Sequence, residues 1–303
     1  MAWLKSLLRF IFFGNYFYGI CTVALSIEAS VQQLYSLNTY WYYILLFAAS
    51  TVYYTKAYIG VTTTDKHNKR SVWYLDHKQL MIWSQLFLTF IIIIATLFIF
   101  KDVWKQILHL QWIEYLLLLI FPFVAVLYYG IESFHSEKIN LRNNGWLKPF
   151  IIGFVWGGTV TIYPILFHCI EYNEPYGITL FGTLLFIKNF MFITVLCIMF
   201  DIKDYAADYN QQLKTFVVRV GLRKTIFYII LPLCAIGFGT FLIFTIVRHI
   251  SPIRIIINAI PFILLITVAY SMHRRKSILY YLAIIDGLML VKAICGIVSF
   301  TIF

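Results

Sequence analysis

Nine stretches of the chain are built almost wholly from apolar residues, at about 9–28, 40–60, 80–100, 111–130, 148–168, 177–200, 225–247, 254–272 and 278–301. Each is near the roughly 20 residues that a helix needs to cross the hydrocarbon of a bilayer. None shows the alternating pattern, about ten residues long, of outer-membrane barrel strands. The pattern predicts an all-α, polytopic membrane protein of nine transmembrane helices. Its first run reads as a membrane helix and not a removed signal peptide, because no small-residue cleavage site follows it clearly. The longest polar stretches, about 61–79, 131–147 and 201–224, all follow even-numbered runs. No segment reads as a soluble domain or an internal repeat, so residues 1–303 are taken as one transmembrane domain.

Composition agrees: 61% of residues are hydrophobic and 12% charged, with a mean hydropathy of +0.82, which excludes an ordinary soluble globule. A net charge of +11 raises the question of nucleic acid. The basic residues, however, are parcelled among short loops, which suits membrane topology and no nucleic-acid partner. One side carries Lys5, Arg9, Lys66, Lys69, Arg70, Lys78, Lys138, Arg142, Lys148, Lys203, Lys214, Arg219, Arg223, Lys224, Arg274, Arg275 and Lys276; the other carries Lys101, Lys105, Arg248 and Arg254. That asymmetry puts the N-terminus in the cytoplasm and the C-terminus outside, as in a bacterial inner membrane. Cys21, Cys169, Cys197, Cys234 and Cys295 are scattered without a Cys-x-x-Cys pair, against a disulfide framework or a zinc site.

Several ionisable residues, Lys56, Lys188, Asp286 and Lys292 among them, fall inside the apolar runs, where charge is costly and usually meets a partner or a cavity. Similar depth suggests a Lys188–Asp286 ion pair. Asp286 and Lys292 are six apart, off one helix face. Lys56 lies near the end of the second run beside Tyr53, Tyr54 and Tyr58, and admits two readings. It either serves as a point charge toward phosphate, oriented by those hydroxyls, or snorkels to the interface.

Chemistry concentrates in 201–221. Only 13 Asp and Glu occur in the chain, yet Asp201, Asp204 and Asp208 fall within eight positions. Spacing i, i+3, i+7 puts all three on one helical stripe. Carboxylates crowded this way repel, and a hard cation such as Mg²⁺, which shares its shell with substrate phosphates, removes the conflict. Lys214, Arg219, Arg223 and Lys224 follow at once and suit phosphate.

The stretch resembles the second aspartate-rich motif of the UbiA superfamily of intramembrane prenyltransferases: Asp-x-x-Asp-x-x-x-Asp, then Thr seven residues on, then a basic residue and Gly. Asp201, Asp204, Asp208, Thr215, Arg219 and Gly221 stand at those positions, whereas Tyr209 and Gln212 stand where the family often has Arg and Gly. The family's first motif, Asn-x-x-x-Asp-x-x-x-Asp with a later Asn, is reduced here to Asp65 and Asn68, with Ala57 and Val61 in the earlier positions. The loop Lys138 to Trp146, through Arg142-Asn143-Asn144-Gly145, is loosely similar to quinone- and chlorophyll-type members.

The resemblance implies a nine-helix UbiA-like bundle around a central cavity. It implies Mg²⁺-dependent transfer of a polyprenyl group from its diphosphate to a lipophilic acceptor, such as a quinone precursor, among membrane lipids. Asp201, Asp204 and Asp208 would hold the metal, with Asp204, Asp208 and Lys56 catalytic. Asp65, Asn68, Lys214 and Arg219 would bind the diphosphate. The alternatives are a catalytically silent relative that binds an isoprenoid lipid or a partner membrane protein, and a transporter.

Overall fold

The computed structural model describes residues 2–59, 69–129, 146–210, 216–272 and 278–302, with backbone alone at 2, 4, 203, 204, 206–210 and 216. Every regular element among them is helical, as the apolar pattern predicts. The helices are α1 (Ala2–Phe13), α2 (Tyr16–Gln32), α3 (Tyr40–Ile59), α4 (Lys69–Asp76), α5 (Lys78–Leu108), α6 (Trp112–Tyr129), α7 (Lys148–Tyr172), α8 (Leu180–Asn210), α9 (Phe216–Val220), α10 (Leu222–Val247), α11 (Pro252–Ser271) and α12 (Ile278–Thr301).

Among the described residues, α5, α7, α8, α10, α11 and α12 are long and apolar enough to cross a membrane. The bent pair α1 and α2 makes a seventh span if counted as one. The described residues therefore hold six or seven such helices, the mark of a polytopic membrane protein. The predicted second and fourth runs do form helices, but α3 carries six tyrosines and a lysine and α6 is short.

By internal contacts the chain falls into two compact units, Met1–Ala24 with Asn38–Leu108, and Leu25–Leu37 with His109–Phe303. In the first unit, α1 and α2 meet at 68°, through Asn15 at φ 63°. A break in apolar surroundings frees carbonyls that must find donors. Arg70 Nη2 donates to the Phe13 carbonyl at 3.0 Å, the Tyr74 hydroxyl donates to the same carbonyl at 2.8 Å, and Thr55 Oγ1 donates to that of Gly14 at 3.2 Å. Burial pushes the Tyr74 phenol up to about 12. On α5, Trp83, Phe87, Phe90 and Leu97 are exposed, the face of a helix that meets lipid.

In the second unit α8 is the hub, packing against α7, α9, α10 and α12. The α7 glycines explain one of these contacts. A Cβ at Gly153 would overlap Thr194 Oγ1 and stand 3.0 Å from the Phe190 carbonyl; one at Gly157 would stand 3.1 Å from the Phe186 ring. Glycines at i and i+4 thus let the α7 and α8 backbones close together, as small-xxx-small stripes do in membranes. Asn189 then reaches Thr161 Oγ1 at 2.7 Å.

Three of the six long apolar helices carry an internal proline: Pro261 in α11 and two others that each follow a π turn. A single π turn, Gly158–Ile162 in α7 and Ile226–Ile230 in α10, stands just before Pro164 and Pro232. In each, the residue ahead of the proline donates to the carbonyl five positions back, Tyr163 to Gly158 and Leu231 to Ile226. The widened turn takes up the ladder bond that proline cannot make.

Candidate functional site

The apolar part of α8 ends at Phe200, but the helix does not. It runs unbroken through Asp201, Asp204 and Asp208 to Asn210, so the i, i+3, i+7 register holds along the backbone. Asp201 is buried and accepts a hydrogen bond from Lys148 Nζ, Nζ to Oδ1, at 3.0 Å. The α7 glycine stripe makes this pair possible, because it brings the first residue of α7 beside the end of the membrane part of α8. An ammonium on the first turn of a helix opposes the macrodipole. The α7 N-terminus gains no side-chain cap at Leu147 either. The Asp201 carboxylate offsets that conflict.

The remaining predicted site residues are distributed as follows. Asp204 and Asp208 lie in the last turns of α8, described by backbone alone. Arg219 is exposed on α9, which packs on α8. Gly221, the last motif position, has φ 87° and joins α9 to α10; a residue with a Cβ rarely adopts that conformation. Lys56 is exposed in the last turn of α3. Its neighbour Tyr58 is engaged by Arg70, which donates to the Tyr58 hydroxyl at 3.1 Å, and Tyr58 stacks on Tyr74. Asp65, Asn68 and Lys214 lie outside the described residues.

A second charged constellation lies wholly within the apolar interior of the second unit. Glu28 on α2 accepts from Lys188 of α8 at 3.2 Å and from Lys292 of α12 at 2.6 Å. Gln32, one turn beyond Glu28, donates to it at 3.1 Å, accepts from Lys188 at 2.7 Å and donates to Asn258 of α11 at 3.2 Å. Asn258 continues to Ser299 Oγ at 2.6 Å. The Lys188 ammonium also lies 4.9 Å from the centre of the Phe241 ring. Glu28, Lys188 and Lys292 are all buried. The suggested Lys188–Asp286 pair is thus replaced: Lys188 is taken by Glu28 and Gln32.

Sequence reasoning missed both Glu28 and the role of Lys148. Glu28 sat at the predicted end of the first run, but α2 continues to Gln32, which places the carboxylate inside. The signal was the Glu28/Gln32 pair at i, i+4. Lys148 was counted among loop cations; Pro149 behind it, suited to the first turn of a helix, marks it as a helix start.

Among the described residues no group of three or more His, Cys, Asp or Glu is gathered to hold a metal. Asp201 already has the Lys148 ammonium as counter-charge, so it fits a metal poorly. Asp204 and Asp208 are the oxygen donors of the motif that would fit Mg²⁺. Comparison of the chain with protein-family models, curated proteins and solved structures gave no match.

Proposed function

We propose that the protein is a UbiA-like enzyme of the bacterial inner membrane. In this reading nine helices surround a cavity, with the N-terminus cytoplasmic and the C-terminus outside, and the enzyme transfers a polyprenyl group from its diphosphate to a lipophilic acceptor. The observation that carries the reading is the unbroken course of α8 through Asp201, Asp204 and Asp208, which keeps the motif's carboxylates in one register at the polar end of a membrane-crossing helix. The left-handed Gly221 at the matching motif position adds to it.

In the reaction, the allylic C–O bond of the diphosphate breaks and its electron pair leaves with the diphosphate oxygen. The acceptor supplies the pair for the new C–C or C–O bond and loses a proton. Asp204 and Asp208 would hold Mg²⁺, which when bound supplies positive charge to the departing diphosphate. Arg219 and Lys214 would hold the phosphate oxygens, and Asp65 and Asn68 would belong to the residues that bind the diphosphate. An apolar interior keeps water from the developing allylic cation.

Purified protein incubated with a labelled prenyl diphosphate series, Mg²⁺ and a membrane lipid extract should release diphosphate and yield a labelled lipid. Asp204→Asn and Asp208→Asn should each lower that release at least 100-fold. No release by the wild type with any chain length removes the enzyme reading. A second reading, a silent relative that binds the lipid diphosphate, is favoured by the Lys148–Asp201 pair, which occupies one of the three motif carboxylates. It requires binding without turnover.

A further inference from the structure

The Lys148–Asp201 pair is asymmetric in a way that bears on its role. The Asp201 side chain is 5% exposed and that of Lys148 34% exposed. The carboxylate is enclosed while the lysine side chain is partly open, so a ligand arriving from water reaches the lysine before the carboxylate. We infer that Asp201 is a positioning residue for Lys148 and not a magnesium ligand, and that the Lys148 ammonium contacts a phosphate group at the polar end of α7 and α8.

Three features support this. An ammonium offers three donors, and Asp201 Oδ1 takes one at 3.0 Å. The Lys148 stem starts from α7, which the glycine stripe holds against α8, so the ammonium's position is set by two packed helices and not by a loop. The α7 N-terminus adds positive potential of the same sign at the same end. A divalent cation at Asp201 would stand beside both, and like charges at that distance repel; an anion would be attracted by both. One consequence is a motif with two carboxylates left for metal and a fixed lysine as further counter-charge, which fits a chain whose first aspartate motif is reduced. The inference rests on the proposed prenyl-transfer reading only for naming diphosphate as the ligand. A lipid headgroup phosphate presents the same chemistry.

The test uses the full chain in nanodiscs with two probes measured separately: inorganic pyrophosphate in the presence of chelator, by calorimetry, and Mn²⁺ alone, by electron paramagnetic resonance. Lys148→Met should weaken pyrophosphate at least tenfold, and Lys148→Arg should stay within threefold of wild type. Asp201→Asn should weaken pyrophosphate three- to tenfold while leaving Mn²⁺ affinity within twofold. Thermal unfolding of each variant screens for misfolding, and the Arg variant keeps the test decisive if the Met variant does not fold. Equal pyrophosphate affinity in wild type and Lys148→Met, no binding by either included, overturns the inference. So does a tenfold loss of Mn²⁺ affinity in Asp201→Asn. Discs of phosphatidylglycerol against phosphatidylcholine separate the sources. Pyrophosphate binding weakened in the anionic discs and dependent on Lys148 assigns the contact to lipid headgroups, and equal binding assigns it to free diphosphate; both sustain the phosphate contact. If the pyrophosphate pattern holds while no prenyl diphosphate is turned over, the phosphate contact stands and the enzyme reading alone falls.

Discussion

Helix α8 carries two lysine–carboxylate arrangements that differ in nearly every physical respect. Lys188 sits in its apolar middle, sealed with Glu28, Lys292 and Gln32. Asp201 sits where the apolar run ends and holds a lysine that is one-third exposed. In the sealed cluster two lysines share one carboxylate, and every member reaches a neighbour by hydrogen bond. Such a group gains little over a well-packed apolar core while intact, yet loses heavily when one member is removed, because the others keep their desolvation cost. At the rim the carboxylate is buried but the lysine is one-third exposed, so water can take up the ammonium when the pair is broken, and the loss costs less than in the sealed cluster. The same two residue types thus serve architecture in one place and are available to a ligand in the other.

The strongest way to break this comparison is Glu28→Gln. It leaves two buried ammonium groups without a counter-charge and should destabilise the protein by about 3–5 kcal/mol, read as loss of resistance to unfolding in detergent. The triple change Glu28→Leu, Lys188→Met and Lys292→Met should recover most of that loss, since no charge then remains in the cluster. A smaller effect is expected from Gly296→Ala. A Cβ there would stand 2.6 Å from Glu28 Oε1 and 2.7 Å from Gln32 Nε2, an overpacking that costs ~1–3 kcal/mol. Smaller still is Asp201→Asn, about 1 kcal/mol or less by the same measurement. Salt sharpens the contrast: raising ionic strength to about 1 M shortens the screening length to about 3 Å. It should shrink the Asp201→Asn effect and leave the Glu28→Gln effect unchanged. Equal salt response in the two variants would erase the distinction between rim and interior.

The helical, membrane-spanning character was legible because apolar runs of about 20 residues have few other uses. The aspartate stripe was legible because three acidic residues in eight positions stand out in a chain with 13, and α8 does continue through them. Partners were not legible. Lys188 and Glu28 are 160 positions apart, and hydropathy ranks each residue within its own run without saying which face meets which helix. Depth alone favoured Asp286, but depth ignores rotation about the helix axis. Lys148 was read as a loop cation because the apolar run and the helix begin at the same residue. Its significance lies in Gly153 and Gly157, whose effect on interhelical distance is visible only once the partner helix is known.

The π turns have a consequence for how residues are counted along these helices. A π turn is one surplus residue, and a helix that carries one is shifted in phase by about 100° beyond it. In α12 such a turn spans Tyr281–Ile285 without a proline to require it, seven residues before Lys292. With one residue fewer, the stretch from Gly287 onward would rotate by about that angle relative to Ile278–Tyr280, and Lys292 and Gly296 could not keep their bearing on Glu28 while the start of the helix kept its own. The sealed charges therefore depend on the length of the chain between the ends of α12 as much as on which residues fill it.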